Sequence, residues 1–349
     1  MTIMIIKWRA AMRKLVLLII LFFLINCASE KSPVNSPLSP SEIKRLSAAK
    51  SFEDIFEKAS EIQLSTSPDS AIKLITDMEI DSKRNFIIAD GWQRRGVFIF
   101  APDGQFVKEL GKQGQGPGEY STPVSVSISS KHEIYVADYL GNRINIYDEN
   151  LTFKKPVICR PRIHHFIHLN SQDEIFIYSG TINPFHPVIF DTIHKYNDQG
   201  EEILSFAPLP QEVLKLKFSA VQDGITVDKD GFIYEMNPLL YKIRKFSAEG
   251  KLIKEFSRKT GHFKLVTKEG ETPIIVYGPY YLEKGLIIAQ VSEHLEVYDT
   301  EGNFIVGELP FQSNIIATRD NNFYVQQWEE KEALENLPNP KIICYKLKI

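Results

Sequence analysis

The chain has 349 residues, 43% of them hydrophobic, enough to bury a large core in one repetitive domain or two ordinary ones. Its 41 basic and 44 acidic residues leave a formal net charge of −3 and are spread along the sequence, which argues against a nucleic-acid surface. Three cysteines, Cys27, Cys159 and Cys344, are too few for a disulfide framework and match no metal-site spacing.

At the amino terminus, Arg13 and Lys14 precede an apolar run of eleven residues, Leu15–Ile25, and then Cys27. That run is short for a membrane span, which needs about 20 residues, and suits the core of a signal peptide. Leu24-Ile-Asn-Cys27 resembles the bacterial lipobox, whose cysteine is diacylated and becomes the new first residue. The resemblance implies a signal peptide over 1–27, lipidation of Cys27 and a membrane held through that anchor. Ala28, rather than an aspartate, follows the cysteine. By resemblance to sorting in double-membraned bacteria, that implies the outer membrane of a bacterial cell envelope. Met12, just before Arg13-Lys14, is a second candidate start.

Residues 28–59 read as a tether with a short helix. Ser29–Ser41 holds three prolines and five serines, a polar spacer that cannot pack. Ile43, Leu46, Phe52, Ile55, Phe56 and Ala59 then recur at loosely helical spacing.

From residue 60 onward the chain repeats itself. A β-rich pentamer occurs as Phe86–Asp90, Ile134–Asp138, Ile175–Ser179, Ile233–Asn237, Leu286–Gln290 and Phe323–Gln327, with successive ends 37 to 58 residues apart. Each of the first five is followed by a second alternating strand, a polar turn and a third strand. The turns are Pro102-Asp-Gly104, Asp148-Glu-Asn150, Asn197-Asp-Gln-Gly200, Ser247-Ala-Glu-Gly250 and Asp299-Thr-Glu-Gly302, where glycine near the tip supplies a positive φ. A preceding strand, such as Val124–Ile128 or Gly224–Val227, makes four per unit. The expected fold is therefore all-β: a six-bladed β-propeller over 60–349 with four-stranded antiparallel blades.

The chain ends test that reading. The sixth unit stops at its third strand, Lys341–Ile349, while Glu61-Ile-Gln-Leu-Ser65 precedes an inner strand expected near Ala71–Ile75 and belongs to no complete blade. Pairing the two closes the ring and hides two sheet edges that would otherwise invite aggregation.

Gly111–Tyr120 places four glycines in ten residues between the first two units. It is no phosphate cradle, because no Lys-Ser/Thr follows, no helix opens there, and Pro117 removes an N–H. It reads as the crossover from the outer strand of one blade to the inner strand of the next, with Gly114, Gly116, Pro117, Gly118 and Glu119 fixing the path.

Ile134-Tyr-Val-Ala-Asp-Tyr-Leu-Gly-Asn-Arg-Ile-Asn-Ile-Tyr-Asp148 resembles an NHL repeat, marked by its Ala-Asp…Asn-Arg-Ile arrangement. Gly114-Gln-Gly-Pro-Gly-Glu-Tyr120 resembles more closely the six-bladed propeller lipoproteins of bacterial envelopes. That resemblance, over roughly 52 to 349, implies a fold and an address and little chemistry.

Candidate site residues follow from the repeat. The last pentamer position is polar throughout, as Asp90, Asp138, Ser179, Asn237, Gln290 and Gln327, and propeller geometry puts all six on one face. Trp92, Arg94, Arg95, Tyr139, Asn142 and Arg143 add aromatic and cationic side chains that suit sugar, carboxylate or protein ligands. Turn-capping by the polar ring, and an Asp138–Arg143 clamp within one blade, are the structural alternatives. His164, His165 and His168 form the densest histidine group, and a metal there needs a third ligand such as His186 or His194. Asp228-Lys-Asp-Gly231 lacks the later ligands of a calcium loop and reads as a turn. Cys159 and Cys344 fall in non-adjacent blades and read as packing residues.

No nucleophile elbow, catalytic Cys/His pair, phosphate loop or dinucleotide fingerprint occurs. The expectation is a monomeric, non-catalytic binding or scaffold module for a glycan, peptide or envelope protein, with no cofactor. The alternative is a hydrolase, lactonase or lyase holding calcium or zinc in the channel. That chemistry needs several acidic or histidine residues facing the axis, whereas the expected ring is mostly amide and hydroxyl.

Overall fold

The computed structural model describes residues 38–159, 166–179, 191–214, 216, 223–265, 273–328 and 338–349. The leader, Cys27, most of the tether, His164, His165 and His186 lie outside them. No helix among the described residues is long and apolar enough to cross a membrane.

Two short helices come first, α1 (Pro40–Ser47) and α2 (Phe52–Ile55), followed directly by strand β1 (Phe56–Gln63). Ser39 caps α1 in a capping box: its hydroxyl accepts from the Glu42 N–H, and the Glu42 carboxylate accepts from the Ser39 N–H. The helical spacing expected over 42–59 thus divides, with Phe56 and Ala59 inside a strand.

Blade 1 is β2 (Asp77–Ile80), β3 (Phe86–Asp90), β4 (Gly96–Phe100) and β5 (Phe106–Glu109). A two-residue parallel pair, β6 (Lys112–Gln113) and β7 (Glu119–Tyr120), then leads to blade 2: β8 (Pro123–Ile128), β9 (Ile134–Asp138), β10 (Arg143–Tyr147) and β11 (Phe153–Ile158). Blade 3 is β12 (Phe166–Leu169), β13 (Ile175–Tyr178), β14 (Asp191–Tyr196) and β15 (Glu202–Pro208), and helix α3 (Gln211–Leu214) follows it. Blade 4 is β16 (Ile225–Val227), β17 (Ile233–Met236), β18 (Ile243–Phe246) and β19 (Leu252–Phe256). Blade 5 is β20 (Val276–Leu282), β21 (Leu286–Val291), β22 (His294–Asp299) and β23 (Phe304–Pro310). Blade 6 is β24 (Ile315–Arg319), β25 (Asn322–Gln327) and β26 (Lys341–Leu347), completed on the outside by β1.

The six inner strands touch in a closed circuit, β2–β8–β12–β16–β20–β24 and back to β2, which defines the axis. Six-bladed propeller architecture with antiparallel blades is thereby established. Closure is as the chain ends implied. β1 pairs with β26 from Phe56 opposite Leu347 to Gln63 opposite Lys341, so the closing strand is Phe56–Gln63 rather than Glu61–Ser65. One expectation is corrected: the first inner strand is Asp77–Ile80, and residues 71–75 form the approach to it.

Each blade buries both faces against its neighbours, so the middle strands read as unbroken apolar runs. Every residue of β3, β4 and β9 is buried, whereas β19 is largely exposed at the rim. Between consecutive blades lie apolar seams. Ile99 and Val126 meet between blades 1 and 2. Ile146 and Ile177 share the cluster between 2 and 3, Phe176 and Phe246 that between 3 and 4, and Tyr234 and Ile287 that between 4 and 5. Phe52, Phe56, Phe311 and Phe323 cluster between 5 and 6, where α1 and α2 dock. Phe86 and Tyr324 join 6 to 1. Cys159 and Cys344 are free thiols buried in two different seams, and burial pushes the Cys159 thiol up to about 12.

Four of the five turns between third and outer strands carry positive φ on glycine, at Gly104, Gly200, Gly250 and Gly302. In blade 2 Leu151 takes it at 62°, held by Asp148, whose Oδ1 accepts from the Asn150 and Thr152 N–H groups. Asp228 acts likewise in its own turn, accepting from Asp230 and Phe232 N–H and from the Tyr234 hydroxyl.

Candidate functional site

An inner strand of a propeller turns alternate side chains into a seam and toward the axis. In β2 Met78 and Ile80 are buried in the seam with blade 6, so Asp77 and Glu79 face the channel. From β12, His168 faces it, and so does Asp223 just ahead of β16. These groups line a cavity of about 610 Å³ at the centre of the ring. Leu74, Ile75, Val124, Phe166, Ile225, Ile315 and Ala317 supply its apolar wall, and Trp92, Tyr277 and Tyr280 its aromatic surface. A concave, mostly apolar space with a few convergent polar groups is the usual form of a small-molecule site.

Its electrostatics are set by confinement. Burial pushes the Glu79 carboxyl up to about 7, and the charge of Asp77 on the same strand adds to the shift. Asp77 is pushed up to about 6 by burial and by Asp223. Hydrogen bonds oppose that rise: Asp77 Oδ2 accepts from the Ser125 hydroxyl at 2.6 Å and the Val126 N–H at 2.9 Å. Ser125 Oγ in turn accepts from the Ile167 N–H at 3.1 Å, which ties the inner strands of blades 1, 2 and 3 together. His168 Nε2 lies 2.9 Å from an Asp223 oxygen. Burial disfavours the imidazolium, but Asp223, Asp77 and Glu79 outweigh it and raise His168 above its ordinary value. Among the described residues no group of three His, Cys, Asp or Glu side chains is placed to share a metal ion.

The residues singled out from the repeat lie elsewhere, with one exception. Asp90 is fully buried and caps backbone: Oδ2 accepts from Lys73 and Leu74 N–H, Oδ1 from Gln93 and Arg94 N–H. Asp138 Oδ1 accepts from the Ser121, Thr122 and Gly141 N–H groups, and its Oδ2 meets Arg143 Nε at 3.3 Å. Ser179 bonds His194, whose other nitrogen meets Glu202, so His194 does not join His168. Asn237 accepts from Leu239 N–H, Gln290 donates to the Ser313 carbonyl, and Gln327 is exposed. The Arg94 guanidinium donates to the Pro68 carbonyl, and Asn142 to that of Cys159. Tyr139 meets Trp92 edge-on at 5.7 Å. Of this set only Trp92 lines the cavity.

The expectation that axis-facing groups are amide and hydroxyl is therefore corrected. Five of the six second strands end in residues that bond backbone, Gln327 being exposed, and the inner strands with the approach to β16 supply the acidic and histidine side chains. The signal for them was the alternation Asp77-Met-Glu-Ile80, which lies outside the pentamer that defines the repeat.

Gly111–Tyr120 is fastened from both sides. Tyr120 donates its hydroxyl to the Leu110 carbonyl and accepts from Val97 N–H. Arg143 and Asn145 donate to the Glu119 carbonyl at 2.6 and 2.8 Å, and Tyr147 to that of Gly118 at 2.9 Å. The Glu119 carboxylate accepts from Gly116 N–H and pairs with Lys112. With these partners the loop is a strut between blades 1 and 2, and Pro117 lies within it. Arg244 repeats the device in blade 4, pairing with buried Glu235 at 2.7 Å and donating to the carbonyls of Ala207 and Pro208.

Residues 41–180 match a family described as a 6-bladed beta-propeller. No curated protein matches the sequence. Among solved structures, an exported protein of Bacteroides fragilis is similar at 14% identity, with a TM-score of 0.62 over 86% of this chain and 97% of that one. The virginiamycin B lyase of Staphylococcus aureus, solved as an inactive variant with quinupristin, is similar at 13% identity, with a TM-score of 0.53 over 81% and 83%. A gluconolactonase of Xanthomonas campestris is similar at 12% identity, with a TM-score of 0.50 over 84% and 99%. At such identities the likeness is one of fold.

Proposed function

We propose that this chain is a lipid-anchored propeller of the bacterial envelope that binds a small molecule, or the end group of a glycan or peptide, in its central channel. The observation that carries the reading is the cavity of about 610 Å³, where Glu79, His168 and Asp223 converge on a space with a largely apolar wall. The address rests on the signal-peptide and lipobox pattern ending at Cys27, and the exported Bacteroides protein of like fold is in keeping with it.

The test is retention. Protein purified from membranes is denatured, and the released small molecules are identified by mass spectrometry. Wild type and Gln327→Ala release the same compound, while Thr226→Trp, which plugs the channel, releases none. Retention by the plugged variant would contradict the reading.

A second reading, acid–base catalysis in the same channel, is favoured by the His168–Asp223 pair beside a carboxyl whose pKa is about 7. Lyase and lactonase rings of like fold are consistent with it. Incubating the released compound with wild type and with His168→Ala separates the two readings, since only catalysis yields a product with wild type alone.

A further inference from the structure

The charged groups offered to the channel are carboxylates and one imidazole, while Thr226, Asn314 and Thr318 are neutral and can donate or accept. Asp77 accepts from Ser125 and Val126, and Asp223 bonds His168 and accepts from the Ile225 N–H, which leaves Glu79 as the carboxylate most open to a ligand, with lone pairs of Asp223 to spare. Gln326, from β25, lines the same cavity, and its Oε1 is buried without a hydrogen-bond partner. A buried orphan acceptor costs about 1–3 kcal/mol unless something donates to it. Among the described residues no Lys or Arg lines the cavity. Arg319, at the end of β24, acts on Glu79 from beyond the lining and lies 3.7 Å from Asp320. His168 is the one basic side chain in the wall among the described residues, and Asp223 holds it. Trp92, Phe166, Tyr277 and Tyr280 add ring faces, which attract a cation and cover an apolar body.

From this lining, and resting on the reading of the channel as the ligand site, we infer that the ligand is a small organic cation: an ammonium or guanidinium group on an apolar or aromatic body. The charged head sits among Glu79, Asp223 and Gln326 Oε1, donating N–H bonds, and the body lies against Phe166, Tyr280 and Trp92. A carboxylate or phosphate ligand would meet like charge and leave Gln326 without a donor. A neutral alcohol would offer one donor to several acceptors.

Binding is coupled to protons. Glu79 must ionise to receive the head group, and any proton on His168 would oppose it. Affinity for the cation therefore rises with pH through the range around 7 where Glu79 titrates.

Three probes carry the same phenethyl group and differ in the head it bears: phenethylammonium, phenylpropanol and phenylpropanoate. Trp92 fluorescence, read in a Trp8→Phe, Trp328→Phe background of the full chain, reports channel occupancy, with calorimetry as an independent measure. Phenethylammonium binds at least tenfold tighter than phenylpropanol, more strongly at pH 8 than at pH 6. Glu79→Gln removes that preference in a protein that melts no lower than wild type. Equal or tighter binding of the alcohol or the carboxylate, or indifference of the ammonium to Glu79→Gln, overturns the cation while leaving the channel as the site. Failure of all three probes to bind overturns the cation inference, and the compound retained from membranes then decides the channel reading separately.

Discussion

Two kinds of buried charge stabilise or strain this ring, and substitution separates them. Arg244 and Glu235 are both buried and paired, and the arginine also satisfies carbonyls of the preceding blade. Removing one partner strands the other, at a cost of about 3–5 kcal/mol, so Arg244→Met should lower the urea midpoint markedly. The double variant Arg244→Met with Glu235→Leu should recover most of the loss, because no charge is then stranded. Glu79 is the opposite case. Its pKa rises from 4.5 in the unfolded chain to about 7 in the fold, so the folded state holds the proton more tightly. Stability tied to that proton is full below about pH 4.5 and declines as pH rises through 7. Glu79→Gln should therefore be near neutral at pH 4.5 and stabilising, on the order of 2 kcal/mol, at pH 8. Thermal melts at the two pH values check it, and an equal effect at both would refute the assignment.

At the scale of elements, the strut between blades 1 and 2 separates two glycines. Gly118 has φ 71°, and a Cβ there would lie 3.0 Å from the Phe153 side chain. Gly118→Ala should cost about 1–3 kcal/mol, measured by denaturant titration, whereas Gly116→Ala, which meets only the Glu119 carboxylate, should cost less. Both should act on stability and leave channel binding unchanged. The middle strands were legible in the sequence because they are buried on both faces, as in Phe86–Asp90 and Ile134–Asp138, and their apolar runs recur. The first inner strand was not. Asp77-Met-Glu-Ile80 puts carboxylates on its channel side, so it lacks the apolar run by which its neighbours are recognised. The same property hid the site, since the polar pentamer ends drew attention while all but exposed Gln327 bond backbone. His168 stood out in the sequence, but its partner Asp223 is 55 residues away and only the ring brings the two together.

At the scale of the whole molecule, the ring is closed by a strand from the other end of the chain. β1 covers the outer edge of β26 and carries Phe56 into the seam between blades 5 and 6. Deleting residues 56–63 should expose that edge and that seam together, and the protein should lose its cooperative melt rather than shed one blade. An unchanged midpoint would contradict closure as a stability device. Closure also fixes the channel, because Gln326 of blade 6 and Glu79 of blade 1 face one cavity only when the ring is complete. The most direct measurement of the central claim is a high-resolution crystal structure of protein purified from membranes without stripping. The channel account predicts ligand density in the cavity, in contact with Glu79, Asp223 and Gln326. Ligand density on the exit-face loops around Asp138 and Tyr139, with only water in the channel, would contradict it.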